Sequence, residues 1–339
     1  MPMSVGVKDE TVMPLLLILT GPTASGKTAL ALRAAQELGL EIVGADSRQV
    51  HAGLAVATAA PTAAERALVR HHLVGHVPLT ASYSAGQFAR ECRAVLGLPP
   101  LAPAAAAPGD GPAVAPPARL PFLLCGGSGF YLRALLDPVS PALMADAGRR
   151  AQVRRLSATL PPAEFRALVL EHDPAAAWIP AGDQVRLERY LEISLAAGRP
   201  ATLALADQAA PRPVRPLLVS LEAPLDWLEE RIRLRSRRML EEGMVEEVAA
   251  ALAAGAPRDS GALRSVGVEE VLDLLAGRLD REGCLARLTL RTRQLAKRQL
   301  TWLRGLARRE EVLRLDPRQE EGVLCRTVIE AWRRAGERP

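Results

Sequence analysis

Residues 15–32, LLLILTGPTASGKTALAL, constrain the fold more than any other stretch. The unbroken apolar run of residues 15–19 reads as a strand covered on both faces, since a strand with one wet face would alternate. It runs into GPTASGKT (21–28), which satisfies G-x-x-x-x-G-K-[ST], and then into an amphipathic helix over 27–38 closed by Gly39. Strand, glycine loop and helix form the setting in which this pattern holds phosphate. Glycines let backbone N–H groups turn inward, Lys27 adds a point charge, Thr28 offers a hydroxyl to Mg²⁺, and the helix N-terminus favours anions. Of 43 basic residues only Lys8, Lys27 and Lys297 are lysines. One of them sits inside the loop, where a compact ammonium fits and a wide guanidinium fork does not. Gly21, Pro22, Thr23, Ala24, Ser25, Gly26, Lys27 and Thr28 are therefore candidate diphosphate- or nucleotide-binding residues.

The 339 residues suffice for two domains, or one with a large insertion. Strand patterns recur at 40–47, 122–125 and 215–224, separated by helical ones such as 84–97 and a long helix from Trp227 with Asp226 as its cap. This alternation predicts an α/β fold, a P-loop NTPase-like parallel sheet flanked by helices. Residues 14–139 and 211–339 form the expected core, helical from about 225 to the end. Residues 140–210 form a helical insertion domain, 1–13 a disordered start, and the Pro/Ala-rich, nearly uncharged 97–121 a flexible loop. No apolar run approaches membrane-spanning length and no cleavage site follows the first one, so a cytoplasmic chain without a membrane segment is expected. The cysteines Cys92, Cys125, Cys284 and Cys325 have neither zinc-ligand nor redox-motif spacing.

Further candidates lie at strand ends. ADSRQVH (45–51) places Asp46 and Ser47 at the carboxyl end of the second strand, the edge where open α/β sheets bind ligands. Asp46 suits a Mg²⁺ ligand, a general base, or a loop cap. GGSGFY (126–131) brings close-approach glycines and the Ser128 hydroxyl to the same edge. Arg231 and Arg235, at i and i+4, share a helix face and converge on one anion or pair with neighbours such as Glu230. His71 and His72, adjacent on an extended segment, point to opposite faces and do not suit one metal ion. Residues 285–309 hold eight basic residues and no acidic one. As a helix they put Leu285, Leu288, Leu295, Trp302, Leu303 and Leu306 on one arc. Two basic stripes flank it, Arg287/Arg291/Arg298 and Arg293/Lys297/Arg304/Arg308, facing outward as a track for phosphates.

In order, these segments resemble the tRNA dimethylallyltransferase (IPP transferase) family. The phosphate loop is intact, Asp46-Ser47-Arg48-Gln49 fits D-S-x-Q, and His71-His72-Leu73 fits H-H-L. YSAGQF (83–88), RIRLRSRRMLEEGMVEEVAAL (231–251), RSVGVEE (264–270) and TRQLAKRQLTWLR (292–304) continue the match over roughly 15–305. The chain departs at His51, Ala57, Ala60, Gly75 and Val268, and Val185 replaces a glutamine. The resemblance implies transfer of a dimethylallyl group from its diphosphate to N6 of the adenosine 3′ of the tRNA anticodon. Diphosphate is the leaving group, and Mg²⁺, held at Thr28, the expected cofactor. Asp46, Thr28, Lys27, Arg231 and Arg235 carry the implied catalysis. Asp46, Ser47, Arg48, Gln49, Ser128, Arg186, Arg189, Arg264, Gly267, Lys297, Arg298, Gln299, Thr301, Trp302 and Arg304 carry the implied contact with the tRNA anticodon stem-loop. A monomer is expected. Alternatives are a prenyltransferase acting on free AMP or ADP, an ATP-dependent small-molecule kinase, and a non-catalytic RNA-binding protein.

Overall fold

In a computed structural model, the structure describes residues 13–100, 119–138, 143, 146–207 and 212–337. The expected disordered start (apart from residue 13) and most of the 97–121 loop lie outside the described residues. The described residues fall into two units, one of 13–98, 119–136 and 213–337, the other of 99–100, 137–138, 143, 146–207 and 212.

The first unit is built on a six-stranded sheet in the order β3-β2-β4-β1-β5-β6, every pair parallel. The strands are β1 (Leu15–Thr20), β2 (Glu41–Gly44), β3 (His71–His72), β4 (Arg119–Cys125), β5 (Arg215–Leu221) and β6 (Val312–Leu315). Central β1 is buried along its whole length. Its alternate side chains divide between two cores. Leu15, Leu17 and Leu19 pack with α1 (Lys27–Leu38) and the closing helix over Glu321–Glu337. Leu16 and Ile18 pack with the helices over Ala85–Val95 and Gly129–Leu136. A covering layer on each face is the physical reason the strand carries no polar alternation. At β4, register slips between the Leu15 and Leu17 pairings, around Pro121, which has no N–H for a ladder bond.

In chain order the short helices α2 (Ala55–Thr58) and α3 (Ala63–Leu68) follow β2, α4 (Ala85–Val95) follows β3, and α5 (Gly129–Leu136) follows β4. The second unit contains α6 (Ala147–Thr159), α7 (Pro162–His172), a 3-10 turn (Pro174–Trp178), α8 (Gln184–Ala197) and α9 (Ala201–Asp207). Its core joins Val153, Phe165, Val169, Ala176, Ile179, Leu187 and Leu191. Back in the first unit, α10 (Leu225–Glu241) follows β5. Then come α11 (Met244–Ala253), α12 (Val268–Leu275), the 26-residue α13 (Arg281–Leu306) and, after β6, α14 (Glu321–Glu337).

Four local readings need correction. The helix after β5 begins at Leu225 with Pro224 as its cap, and Asp226 instead lies in the first turn, where an acidic group still complements the helix dipole. Strands β3 and β6 are absent from the pattern reading because two and four residues are too short to show a period. Strand β2 stops at Gly44, so Asp46 and Ser47 stand in the loop beyond it. The extended segment at 119 begins three residues before the expected 122.

Phe88 is fully buried and stacks on Tyr131 with ring centroids 4.3 Å apart. Phe88→Ala should cost about 3–5 kcal/mol of stability, read by urea unfolding.

Candidate active site

The loop leaving β1 is shaped for an anion. Gly21 sits at φ 149°, and a Cβ there would lie 2.6 Å from the Leu221 carbonyl. Gly26 (φ 90°) caps α1 from the left-handed region with no side chain on the helix N-terminus, leaving that end open. The hydroxyls of Thr20 and Ser220, near the ends of β1 and β5, and of Ser25 in the loop are buried with no hydrogen-bond partner among the described residues. Lys27 Nζ folds back to donate to the Pro22 carbonyl at 2.5 Å. Burial pulls its pKa down to about 8, partly opposed by the negative fields of Cys125 and Asp46.

Loops after β2 and β4 close on this edge. Gly126 and Gly129 permit contacts that any side chain would block: a Cβ on the first would overlap the Ala45 backbone, and on the second the Trp302 ring. Ser128 Oγ accepts the Ser47 N–H at 2.9 Å and donates to Ser47 Oγ at 3.2 Å. Asp46 Oδ1 accepts the Arg48 N–H at 3.0 Å, and its second oxygen has no hydrogen bond among the described residues. The same carboxylate thus shapes its loop and keeps one oxygen available. Gln299 on α13 joins two loops, its Oε1 accepting the Thr23 N–H at 2.8 Å and its Nε2 donating to the Gly127 carbonyl at 3.1 Å.

Helix α10 adds two cations. Arg231 donates to the Ala24 carbonyl at 2.9 Å and stacks over Trp227 at 4.8 Å. Arg235 donates to Thr23 Oγ1 at 3.4 Å, and burial first, then the nearby Arg48 charge, lowers its pKa to about 10. Thr23, Arg48 and Arg235 line a small pocket with Ile232, Ser236, Met239, Leu288 and Thr292. Among the described residues none of Lys27, Arg48, Arg231 and Arg235 has a carboxylate within ion-pair distance. Lys27, Arg48 and Arg235 are part-buried and Arg231 is exposed, and cations gathered without counter-ions make a setting that an anion would complete.

Several of the residues expected to contact RNA have partners within the protein as well. Arg48 donates to the Ala57 carbonyl at 3.0 Å and Gln49 to the Ala59 carbonyl at 2.9 Å, so both side chains hold the segment around α2. Gly267 is buried at φ 102° and donates to Glu270 Oε2 at 2.6 Å, while Arg264 is exposed in the preceding turn. On α13 the two basic stripes are not uniformly free. Arg287 pairs with Asp273 at 2.7 Å, Arg291 with Glu270 at 2.8 Å and with Glu269, and Arg293 with Glu229 at 2.5 Å. Carboxylates from α10 and α12, distant in sequence, neutralise this half of the helix. Lys297, Arg298, Arg304 and Arg308 stay exposed and unpaired among the described residues, and Thr301 bonds the Lys297 carbonyl at 3.0 Å. Arg186 and Arg189 belong to the second unit, where Arg186 pairs with Asp183 at 2.6 Å and Arg189 with Glu192 at 3.3 Å.

His72 bonds Glu41 at 2.6 Å and His71 the Val69 carbonyl at 2.8 Å, a pair with separate structural partners. Two residues escaped the sequence reading. Glu247 accepts the N–H groups of Val56 and Ala57 at 3.0 and 2.7 Å, securing the segment that carries the departures at Ala57 and Ala60. Its only signal was a glutamate inside a matched but unassigned run. Phe130, two residues after Ser128, is 78% exposed, and no periodicity marks it.

Comparison with known proteins agrees with this architecture. The family model described as IPP transferase matches residues 49–306, and one described as isopentenyl transferase matches 13–80. A tRNA dimethylallyltransferase of Methylibium petroleiphilum is 40% identical over 310 residues, 87% of this chain and 88% of its own. One of Myxococcus xanthus is 39% identical over 293 residues, 86% of this chain and 90% of its own. The crystal structure of the tRNA isopentenylpyrophosphate transferase of Bacillus halodurans superposes with a TM-score of 0.66 at 26% identity. It covers 96% of this chain and 97% of its own.

Lys27 yields a pH prediction. Its folded-state pKa, near 8, lies below the unfolded 10.5, so the charge costs stability in full below pH 8 and that cost disappears as pH rises toward 10.5. Lys27→Met should therefore raise the melting temperature at pH 7. In the wild type, affinity for inorganic diphosphate, measured by calorimetry, should fall as pH rises through about 8, and the variant should lose that step.

Proposed function

The chain belongs to the IPP transferase family, and on that premise we propose that it moves a dimethylallyl group from dimethylallyl diphosphate to N6 of the adenosine 3′ of the tRNA anticodon, releasing diphosphate. The observation that carries this reading is the cluster of unpaired cations around the glycine loop, set on the same sheet edge as a carboxylate with one uncommitted oxygen.

In this reading the bond between the allylic carbon and oxygen breaks and its electron pair leaves with diphosphate. Lys27, Arg231, Arg235 and the loop N–H groups stabilise that charge where it develops. The N6 lone pair, delocalised into the adenine ring and weakly nucleophilic, forms the new C–N bond, and the displaced proton passes to Asp46. Ser128 and Ser47 hold the Asp46 loop against α5. The available donors suit a hard cation. The Thr28 hydroxyl has no hydrogen bond among the described residues, and the Asp46 carboxylate stands at the same edge. Thr28 would hold Mg²⁺, which when bound would neutralise diphosphate oxygens. The target base has to leave its stack to reach Asp46, while Lys297, Arg298 and Arg304 contact RNA phosphates. We place the reaction in the cytoplasm, carried out by a monomer. Among the described residues no helix is long and apolar enough to cross a membrane.

Purified protein with Mg²⁺, dimethylallyl diphosphate and unmodified tRNA should yield one added prenyl group by mass spectrometry of the digested RNA, and none with AMP instead. Prenylated AMP or ATP consumption would replace this reading with one of the small-molecule alternatives. Asp46→Ala should abolish transfer and leave tRNA binding near wild type; near-normal turnover would remove Asp46 from the role of base. Neutralising Lys297 and Arg304 together should weaken tRNA binding and lower its salt slope by about 1.5, measured between low and physiological salt. Neutralising the paired Arg287 should do much less.

A further inference from the structure

Trp178 is a large aromatic side chain that the second unit holds in water. It is 58% exposed, although its neighbours Ala176 and Ile179 are fully buried. The backbone on both sides of it is fixed by one guanidinium. Arg166 on α7 donates Nε–H to the Ile179 carbonyl at 2.7 Å and Nη2–H to the Ala177 carbonyl at 2.6 Å. The ring itself meets Tyr190 edge-on, centroids 5.9 Å apart, and carries the Arg186 guanidinium at 5.2 Å from its centroid. Arg186 is in turn anchored to Asp183, the N-cap of α8, at 2.6 Å. Backbone, edge and one stacking partner are thus all set before any ligand arrives. Leaving so much indole in water forgoes hydrophobic stabilisation that inward packing would have given.

Charge indicates what this platform meets. Helix α6, which packs against α8, carries Arg149, Arg150, Arg154 and Arg155 and no acidic residue. Arg150, Arg154 and Arg155 are exposed without ion-pair partners among the described residues. An exposed ring with a stacked guanidinium, in a unit with an unpaired basic helix, matches an unpaired nucleobase and its phosphates. Bases stack on aromatic faces with little regard to sequence, and arginine adds a cation–π contribution. A bilayer or an apolar protein face would need a broader apolar patch.

We propose that Trp178 is a base-stacking platform for an unpaired nucleotide of the RNA substrate. The proposal rests on the tRNA reading given above, and assigns the second unit a direct stacking contact with that RNA.

The test uses the full chain and an unmodified anticodon stem-loop, with binding followed by anisotropy and prenyl transfer by steady-state kinetics. Trp178→Ala should weaken RNA binding about 5- to 150-fold, and the loss should fall on KM for RNA rather than on KM for dimethylallyl diphosphate. Trp178→Phe, which keeps a ring, should recover most of the affinity, and Trp178→Leu, apolar but unable to stack, should not. Equal thermal unfolding midpoints for the three variants establish that folding is not what changed. The proposal is overturned if Trp178→Ala binds RNA within about twofold of wild type, if Leu rescues as well as Phe, or if the alanine variant instead changes only self-association in sedimentation. Absence of prenyl transfer by the wild-type protein would count against the functional reading alone, because the ratios of RNA affinity are measured without turnover.

Discussion

One amide side chain ties the active edge together. Gln299 accepts from the glycine loop at Thr23 and donates to the β4 loop at Gly127. Its own helix, α13, packs along α10, which supplies Arg231 and Arg235. A Cβ at Gly127 would come within 2.5 Å of the Gln299 amide nitrogen. The spacing between anion cradle, Ser128 and basic helix therefore depends on a glycine leaving room and an amide filling it. With both hydrogen bonds made, the Thr23 N–H and the Gly127 carbonyl are satisfied without water entering between the loops.

Around that joint the protein concentrates positive charge that it does not neutralise. Burial depresses the pKa values of Lys27, Arg48 and Arg235, and Arg48 and Arg235 repel each other. Elsewhere the chain pairs its charges readily, as on the first half of α13. The contrast between those satisfied arginines and the unsatisfied cluster at the loop separates residues that hold the fold from residues that wait for a ligand. In the proposed reaction a leaving diphosphate would supply the missing negative charge, and because it gains charge as the allylic bond breaks, the interaction would strengthen along the reaction.

Much of this was legible in the sequence because the responsible patterns are local. Residues 15–20 and 27–38 fold as read, since an unbroken apolar run and a glycine-bounded amphipathic segment each have one good solution in a covered parallel sheet. Non-local partners were not legible. Nothing near Arg293 in sequence announces Glu229, and nothing near Arg291 announces Glu270, so a helix that reads as uniformly basic is basic only in its second half. Arg48 and Gln49 were read only as parts of a motif, and the motif does not show that their side chains reach carbonyls some ten residues on. Strand β3 is held by its pairing to β2, a property of the sheet rather than of His71 and His72 themselves.

In the proposed reaction the glycine loop holds diphosphate as a leaving group and transfers no phosphoryl. Dimethylallyl diphosphate carrying ¹⁸O at the bridging position between carbon and phosphorus tests it directly. After turnover with unmodified tRNA, mass spectrometry should find the heavy oxygen in free diphosphate and the unlabelled five-carbon group on the RNA. Heavy oxygen in dimethylallyl alcohol would mean that the phosphorus–oxygen bond had broken and that diphosphate is not the leaving group.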